Sequence, residues 1–484
     1  MQSGFDKYLE VEKALLDIPK FTQKTELANT EKVLDKLGIL KFYKGAFRTG
    51  ERSEGPKIIH IAGTNGKGSV AKFTSLILQN MGYKTGLFTS PHLIRINERI
   101  SINGNEISDD ALVDIYDRVK SVVTEMVDED EVQHPAFFEF LFIMAALYFQ
   151  QQECDYIVLE TGLGGRLDAT NIVTPEVSII TSIGLDHMQY LGDTIQKIAG
   201  EKAGIIKKNI PVVYNTGETD ADEVIEKRAG ELSSQGYKVN DYADSIVEEV
   251  GEDTFGIIKS FTAKYQRDNF LTAALAFAVL EDKLDDSKMS LGGLDETEMK
   301  ALKSAVESFS WPGRMEFIDK DKRFLVDGAH NEDAIIRFTE SLGELCAQRY
   351  KEMNPQISRV PLSLLFAVSN DKDYDNIVKV LTDKLKSLQD KVSASIFIGE
   401  LSNDRRTKCA ELVSIFKKYM GPEALVYGYD SVTDAWEEML HYWEKDNDSK
   451  KYTDYGDPSL FVAVGSLYLV GDIKSLYIKH LNDL

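Results

Sequence analysis

From Lys57 onward, short continuous apolar runs alternate with longer segments whose apolar positions recur at helical spacing. The runs KIIHIAG (57–63), KTGLFTS (84–90), YIVLE (156–160), VSIITSI (177–183) and IPVVYN (210–215) lack a polar face, as strands covered on both sides do. FFEFLFIMAALYFQ (137–150) and NFLTAALAFAVLEDKL (269–284) read as buried helices. The alternation predicts a mainly parallel sheet flanked by helices, an α/β fold.

The pattern pauses at LKSAVESFSWPGRMEF (302–317), where Trp311-Pro312-Gly313 breaks it, and then resumes. RFLVDGAH (323–330), LSLLFAVS (362–369), SASIFIG (393–399), ALVYGY (424–429) and SLFVAVGS (459–466) form a second series of strands with helices between them. A boundary near Phe309–Pro312 is expected, giving domains at 1–309 and 310–484. The stretch 236–261 shows no clear period and is expected to be a small β excursion late in the first domain. The acidic runs DEDE (128–131) and EKDNDSK (444–450) read as solvated loops.

Composition narrows the function. With 484 residues, 43% of them hydrophobic, the chain can fill more than one core. A formal charge of -23 argues against nonspecific binding to nucleic acid or to an anionic membrane. Any anionic ligand then needs a local positive pocket. Cys154, Cys346 and Cys409 match neither a disulfide framework nor a zinc spacing, which suits a reducing compartment. The acidic N-terminus resembles no signal peptide, and no run approaches about 18 apolar residues, so a cytoplasmic protein is expected.

HIAGTNGKGSV (60–70) places three glycines and a lysine between a strand and a helix. Free N–H groups and the positive end of the helix dipole there bind phosphate oxygens. Lys67 adds a point charge, and Ser69 or Thr64 a hydroxyl. The strict phosphate-loop spacing is not kept, because Ile61 replaces its first glycine and Gly68 separates Lys67 from Ser69. A plain tight turn would need only one or two glycines.

Two further strand ends carry ligand-type groups. In LETGLGGRLDATNIV (159–173), Glu160 ends an apolar strand, where a carboxylate suits Mg²⁺ better than packing. The run Gly162–Gly165 allows close approach of backbone, with Arg166, Asp168 and Asn171 within reach. In SIGLDHMQYLG (182–192), His187 offers an imidazole and Asp186 a carboxylate to orient it. Lys202 in EKAGIIK, and Arg314, Asp327 and His330 at the start of the second domain, complete the candidates. The residues alone indicate a two-domain Mg²⁺-nucleotide enzyme.

These blocks, with LFTSPHLIRINERI, WPGRME, DGAHN and VAVGSLYLVG, resemble the folylpolyglutamate synthase and dihydrofolate synthase family within the wider Mur ligase group, in the family's order from about residue 57 to 473. The resemblance implies an ATP-dependent amide ligase with a phosphate-loop ATPase-like first domain and a smaller Rossmann-like α/β second domain. On matching positions, Gly63, Thr64, Asn65, Gly66, Lys67, Gly68 and Ser69 would hold the triphosphate of ATP. Ser90, Glu160 and His187 would ligand two Mg²⁺ ions. Lys202 matches a lysine that members carry as a carbamate. Asn269 and Arg314 would contact the nucleotide, Asp327 its ribose or phosphates, and His330 the acyl phosphate or the incoming L-glutamate.

Arg166, Asp168 and Ala169 follow the style of members that make dihydrofolate from dihydropteroate. Asp168 is then a candidate to hydrogen bond the pterin ring, and Phe137 or Phe138 to pack on it. The expected activity is dihydrofolate synthase together with folylpolyglutamate synthase, in a monomer whose partners are dihydropteroate or reduced folate, L-glutamate and ATP. Extension of folates alone is one alternative. A Mur-type ligase of peptidoglycan precursors is another, although it would be expected to carry a further N-terminal domain, where only about 56 residues precede KIIHIAG. A non-catalytic nucleotide-binding relative should have lost Lys67, Glu160 or His187, and all three are present.

Overall fold

The computed structural model describes residues 4–19, 27–44, 55–259, 261, 263–285, 288–353, 358–402, 405–446 and 457–483. Two compact units emerge. The first comprises Met1–Gly184, Met188–Ser260 and Gln266–Ser310, and the second Leu185–His187, Phe261–Tyr265 and Trp311–Leu484.

The first unit is built on eight strands: β1 (Lys57–Ala62), β2 (Thr85–Phe88), β3 (Ile100–Ile102), β4 (Asn105–Glu106), β5 (Tyr156–Glu160), β6 (Val177–Ile180), β7 (Val212–Tyr214) and β8 (Gly236–Lys238). Their order is β4-β3-β2-β5-β1-β6-β7-β8. The run from β2 to β8 is parallel, and β3 and β4 add an antiparallel edge. In β5 every residue is buried, which explains its unbroken apolar sequence. The helix Phe137–Gln151 is apolar on almost all sides because it lies inside the core: Phe140, Phe142 and Phe149 are at most 1% exposed. β9 (Leu284–Asp285) and β10 (Ser290–Leu291) form a separate hairpin.

The second unit carries β11 (Glu316–Phe317), β12 (Phe324–Asp327), β13 (Val360–Phe366), β14 (Val392–Ile398), β15 (Val426–Gly428) and β16 (Leu460–Val464) in the order β11-β12-β16-β13-β14-β15. Only β11 is antiparallel. The architecture is the doubly flanked α/β arrangement that the strand pattern predicts.

The segment 236–261 corrects an expectation. After the short strand β8 it is helical over Val239–Lys259, interrupted by Gly251 at φ 78°. Buried Val239, Tyr242 and Ile246 follow helical spacing, but the glycine break cuts the period short. Of the acidic runs expected as loops, 128–131 closes a helix and turns, 444–446 end the helix Val432–Asp446 instead, and 447–450 lie outside the described residues.

Candidate active site

In the first unit, β1 ends at Ala62 and the helix Lys67–Asn80 begins after four intervening residues. The turn between them is tied to the end of β6. Thr64 N donates to Ser182 O (2.7 Å), Gly184 N donates to Thr64 Oγ1 (3.1 Å), and Thr181 Oγ1 donates to Asn65 O (2.7 Å). Gly66 caps the helix at φ 87°, and a Cβ there would lie 2.6 Å from Asn269 Oδ1. A Cβ on Gly63 would lie 1.8 Å from Thr181 Oγ1. Both glycines are therefore dictated by close approach, and the turn offers backbone where side chains will not fit.

Lys67 Nζ folds back onto the turn, 3.1 Å from both Gly63 O and Thr64 O. Ser69 is buried and accepts from Gln266 Nε2 at 3.1 Å, and Asn269 Nδ2 donates to Gln266 Oε1 at 2.9 Å. Gln266 escaped the sequence reading; a polar residue at the start of an apolar helix was its only signal. Lys202 is 3% exposed, with its Nζ 2.6 Å from Gly63 O.

Glu160 ends β5 beside Ile61 of β1 and is 3% exposed. Its Oε2 accepts from Ser90 N at 2.9 Å, so the structure brings these two predicted ligands together. Glu98 steadies the loop that follows Ser90 by accepting from the N–H groups of Leu93, Ile94 and Arg95, each at 2.7 Å. The buried Glu160 carboxylate offers hard oxygen donors of the kind a divalent magnesium-like ion takes. The third expected ligand, His187, falls in the second unit.

The glycine loop after Glu160 is clamped to the end of the helix Ile195–Lys202. Arg166 N donates to Glu201 O (2.8 Å) and Arg166 Nη2 to Glu201 Oε1 (2.7 Å). A Cβ on Gly165 would lie 2.9 Å from the carbonyl oxygens of both Glu201 and Lys202. The structure places three of the expected substrate contacts out of solvent. Asp168 is buried and accepts four hydrogen bonds from its own loop: Gly162 N, Leu163 N, Thr170 N and Thr170 Oγ1. Ala169 and Phe137, 4% and 5% exposed, belong to the hydrophobic core. Phe138 is half-buried and its ring lies against Gly162, where a Cβ would come within 2.8 Å.

In the second unit, Asp186 is the centre of a charged cluster. Lys372 Nζ lies 2.6 Å from Asp186 Oδ1 and Asn331 Nδ2 3.0 Å from Oδ2, while His330 Nε2 and His187 Nε2 lie at 3.8 and 3.9 Å. Burial alone would raise the Asp186 carboxyl; His330, Lys372 and His187 outweigh it and hold the group far below the usual carboxylate range. His330 donates from Nδ1 to Gly328 O at 2.7 Å, since a carbonyl only accepts, which leaves Nε2 as its basic atom. Burial, helped by the charge on Lys372, lowers the His330 imidazole to about 4, so it is neutral at neutral pH. Asp327 accepts from Tyr265 Oη (2.9 Å), Met315 N (2.8 Å) and Ala329 N (2.8 Å), tying the WPGRMEF turn to β12. Arg314 Nη1 donates to Gly313 O at 3.0 Å.

Residues 61–270 match the Mur ligase middle domain. The dihydrofolate synthase/folylpolyglutamate synthase of Bacillus subtilis is 33% identical over 447 residues, covering 88% of this chain and 92% of that protein. The folylpolyglutamate synthase of Lacticaseibacillus casei is 31% identical, covering 86% and 89%. Among solved structures, folylpolyglutamate synthase from Thermotoga maritima superposes with a TM-score of 0.68 at 27% identity over 98% of both chains. The Mycobacterium tuberculosis folylpolyglutamate synthase complexed with ADP gives 0.77 at 23% identity, over 98% of this chain and 99% of that one, a likeness of fold. On this footing the chain belongs to the dihydrofolate synthase/folylpolyglutamate synthase family of ligases.

Proposed function

We propose that this protein is an ATP-dependent ligase that joins L-glutamate to dihydropteroate and to the γ-carboxylate of reduced folates. The observation that carries the reading is the pairing, at adjacent strand ends, of a glycine turn onto which Lys67 folds with the buried Glu160 carboxylate, held by the backbone N–H of Ser90. The first binds phosphates and the second suits the divalent ion that accompanies them.

A carboxylate resists attack by an amine because oxide is a poor leaving group. Transfer of the γ-phosphoryl of ATP to the substrate carboxylate gives an acyl phosphate, which the glutamate amine attacks, releasing phosphate and leaving the amide. The turn N–H groups and Lys67 orient the triphosphate and offset charge on the transferring group. Glu160, Ser90 and His187 would hold Mg²⁺, which supplies charge neutralisation along the phosphates. Two ions are proposed, with Lys202 carrying a carbamate formed by addition of CO₂ to its neutral amine with release of a proton. His330, a neutral imidazole with a bare Nε2, is proposed to face the acyl phosphate or the incoming glutamate.

Arg166 and Phe138 present the glycine loop to the acid substrate, and Asp168 contributes by holding that loop. Among the described residues no helix is long and apolar enough to cross a membrane. A cytoplasmic monomer acting on small molecules completes the proposal.

The test is phosphate release from ATP with L-glutamate and, separately, dihydropteroate, a reduced folate monoglutamate or a UDP-muramyl acid. Release with the first two supports the bifunctional reading, and release with the reduced folate alone reduces it to chain extension. Release only with the muramyl acid would overturn it. Mass spectrometry in bicarbonate checks Lys202 for the added carboxyl.

A further inference from the structure

His60 is the exception in β1. Its strand neighbours Ile58, Ile59, Ile61 and Ala62 are buried apolar residues, yet His60 is buried as completely, at 0% exposure. An isoleucine would fill such a position without desolvating a polar ring. The imidazole makes one hydrogen bond, from Nε2 to Thr170 Oγ1 at 2.8 Å, while Nδ1 has no partner.

The protons in this contact can be assigned. The Thr170 hydroxyl has one hydrogen, and at 2.6 Å it faces Asp168 Oδ1, which as a carboxylate only accepts. Thr170 Oγ1 must therefore accept from His60, so the ring carries its hydrogen on Nε2 and leaves Nδ1 bare. Burial holds the ring neutral, with its titration lowered to about 3. The chain continues through Asp168 Oδ2 to Gly162 N (2.8 Å) and Leu163 N (2.9 Å), the residues that follow Glu160-Thr161.

We propose that His60 and Thr170 are positioning residues: as a buried donor relay they set the Asp168 carboxylate and, through it, the glycine loop that faces the acid substrate. The relay rests on the ligase reading for its functional meaning. Its hydrogen bonds run to the loop that follows Glu160, so its effect is expected on the acid substrate and not on nucleotide affinity.

Four variants test this. His60→Leu and Thr170→Val remove the donor or hydroxyl at similar volume, whereas His60→Gln and Thr170→Ser retain it. Steady-state kinetics for dihydropteroate and for ATP are measured beside thermal unfolding, together with ¹⁵N NMR of histidine-labelled protein. The Leu and Val variants are expected to raise KM for the acid roughly tenfold or more with KM for ATP within about twofold, and the Gln and Ser variants to recover most of it. The NMR should show a neutral Nε2–H tautomer for His60 whose resonance moves in Thr170→Val. An Nδ1–H tautomer would overturn the proposal. So would equal effects on both KM values, or losses that follow unfolding temperature across all four variants. If wild-type enzyme ligates glutamate to neither folate acid, the ligase reading fails, while the tautomer and its response to Thr170→Val still decide the relay.

Discussion

Lys202 Nζ lies 2.6 Å from the carbonyl oxygen of Gly63, joining residues 139 apart in sequence at the phosphate-type turn. At 3% exposure that carbonyl bond has little water to replace it. Lys202→Met keeps the length and apolar stem but removes the donor. We expect it to lower stability by about 1–3 kcal/mol and to reduce glutamate-dependent phosphate release far more than unfolding alone explains. Urea titration beside the phosphate assay measures both; a variant with wild-type turnover would contradict the placement of Lys202 in the site.

Lys67 contributes differently. Its Nζ folds onto the carbonyls of Gly63 and Thr64 from a half-buried position, so its stabilising effect on the fold is small. Lys67→Ala should leave the unfolding transition near that of the wild type while reducing turnover roughly 100- to 1,000-fold, the usual loss on removing one positioned donor from a developing charge. Calorimetry together with single-turnover phosphate release would separate the two effects, and near-normal turnover would exclude a triphosphate role.

Gly66 offers a steric test. It sits at φ 87°, and an added Cβ would come within 2.6 Å of Asn269 Oδ1. Gly66→Ala should cost about 1–2 kcal/mol for the backbone conformation alone and push Asn269 from its bond to Gln266. Weakened ATP binding by isothermal calorimetry, with a partial rescue in Gly66→Ala/Asn269→Ala, is the expected pattern. Unchanged affinity in the single variant would show that the turn does not contact nucleotide.

The contrast among these residues explains what the sequence makes legible. All ten apolar runs marked as strands are strands, because residues buried on both faces leave an uninterrupted signal. The two-residue β4 and β11 carry too few positions to show a period. Glu160, Ser90 and the glycine turn stand out because each lies in a short segment of unusual composition at a strand end. The partners of Asp186 do not: Lys372 and Asn331 lie 186 and 145 residues away, and nothing local marks an exposed-type lysine as buried beside a carboxylate. The hydrogen bonding of Asp168 is hidden for a related reason. Its sequence neighbours give the residue type, but only the folded loop shows that its oxygens are already occupied.

His60 predicts a pH dependence of known sign. In the folded chain the ring stays neutral down to about 3, whereas in the unfolded chain it takes up a proton near 6.5. Between those values the unfolded state binds the extra proton, so this contribution to stability is complete above 6.5 and is lost as the pH falls. Lys207, whose charge also disfavours protonation of the ring, acts in the same direction. Relative to His60→Gln, wild type should lose about 2 kcal/mol of additional stability between roughly pH 7 and pH 5. Parallel urea curves at the two pH values measure this; identical pH dependence in both proteins would mean that the ring is not excluded from water.

The Lys372–Asp186 pair is short and largely buried, at 2.6 Å with side chains 10% and 9% exposed. All three tryptophans, Trp311, Trp436 and Trp443, belong to that unit, so their emission reports its unfolding. Lys372→Met strands a carboxylate that retains Asn331 and the two histidines, and should cost about 3 kcal/mol, the low end for breaking a buried pair. Asp186→Asn strands an ammonium whose other partners are fewer, and should cost at least as much. The double variant should be more stable than the sum of the two losses by about 1–3 kcal/mol, because removing the second charge relieves the first. Additive losses in tryptophan-detected denaturation would show that the two groups do not act as a pair in solution, and that Asp186 is held by its remaining partners, among them Asn331 and the backbone N–H of His187.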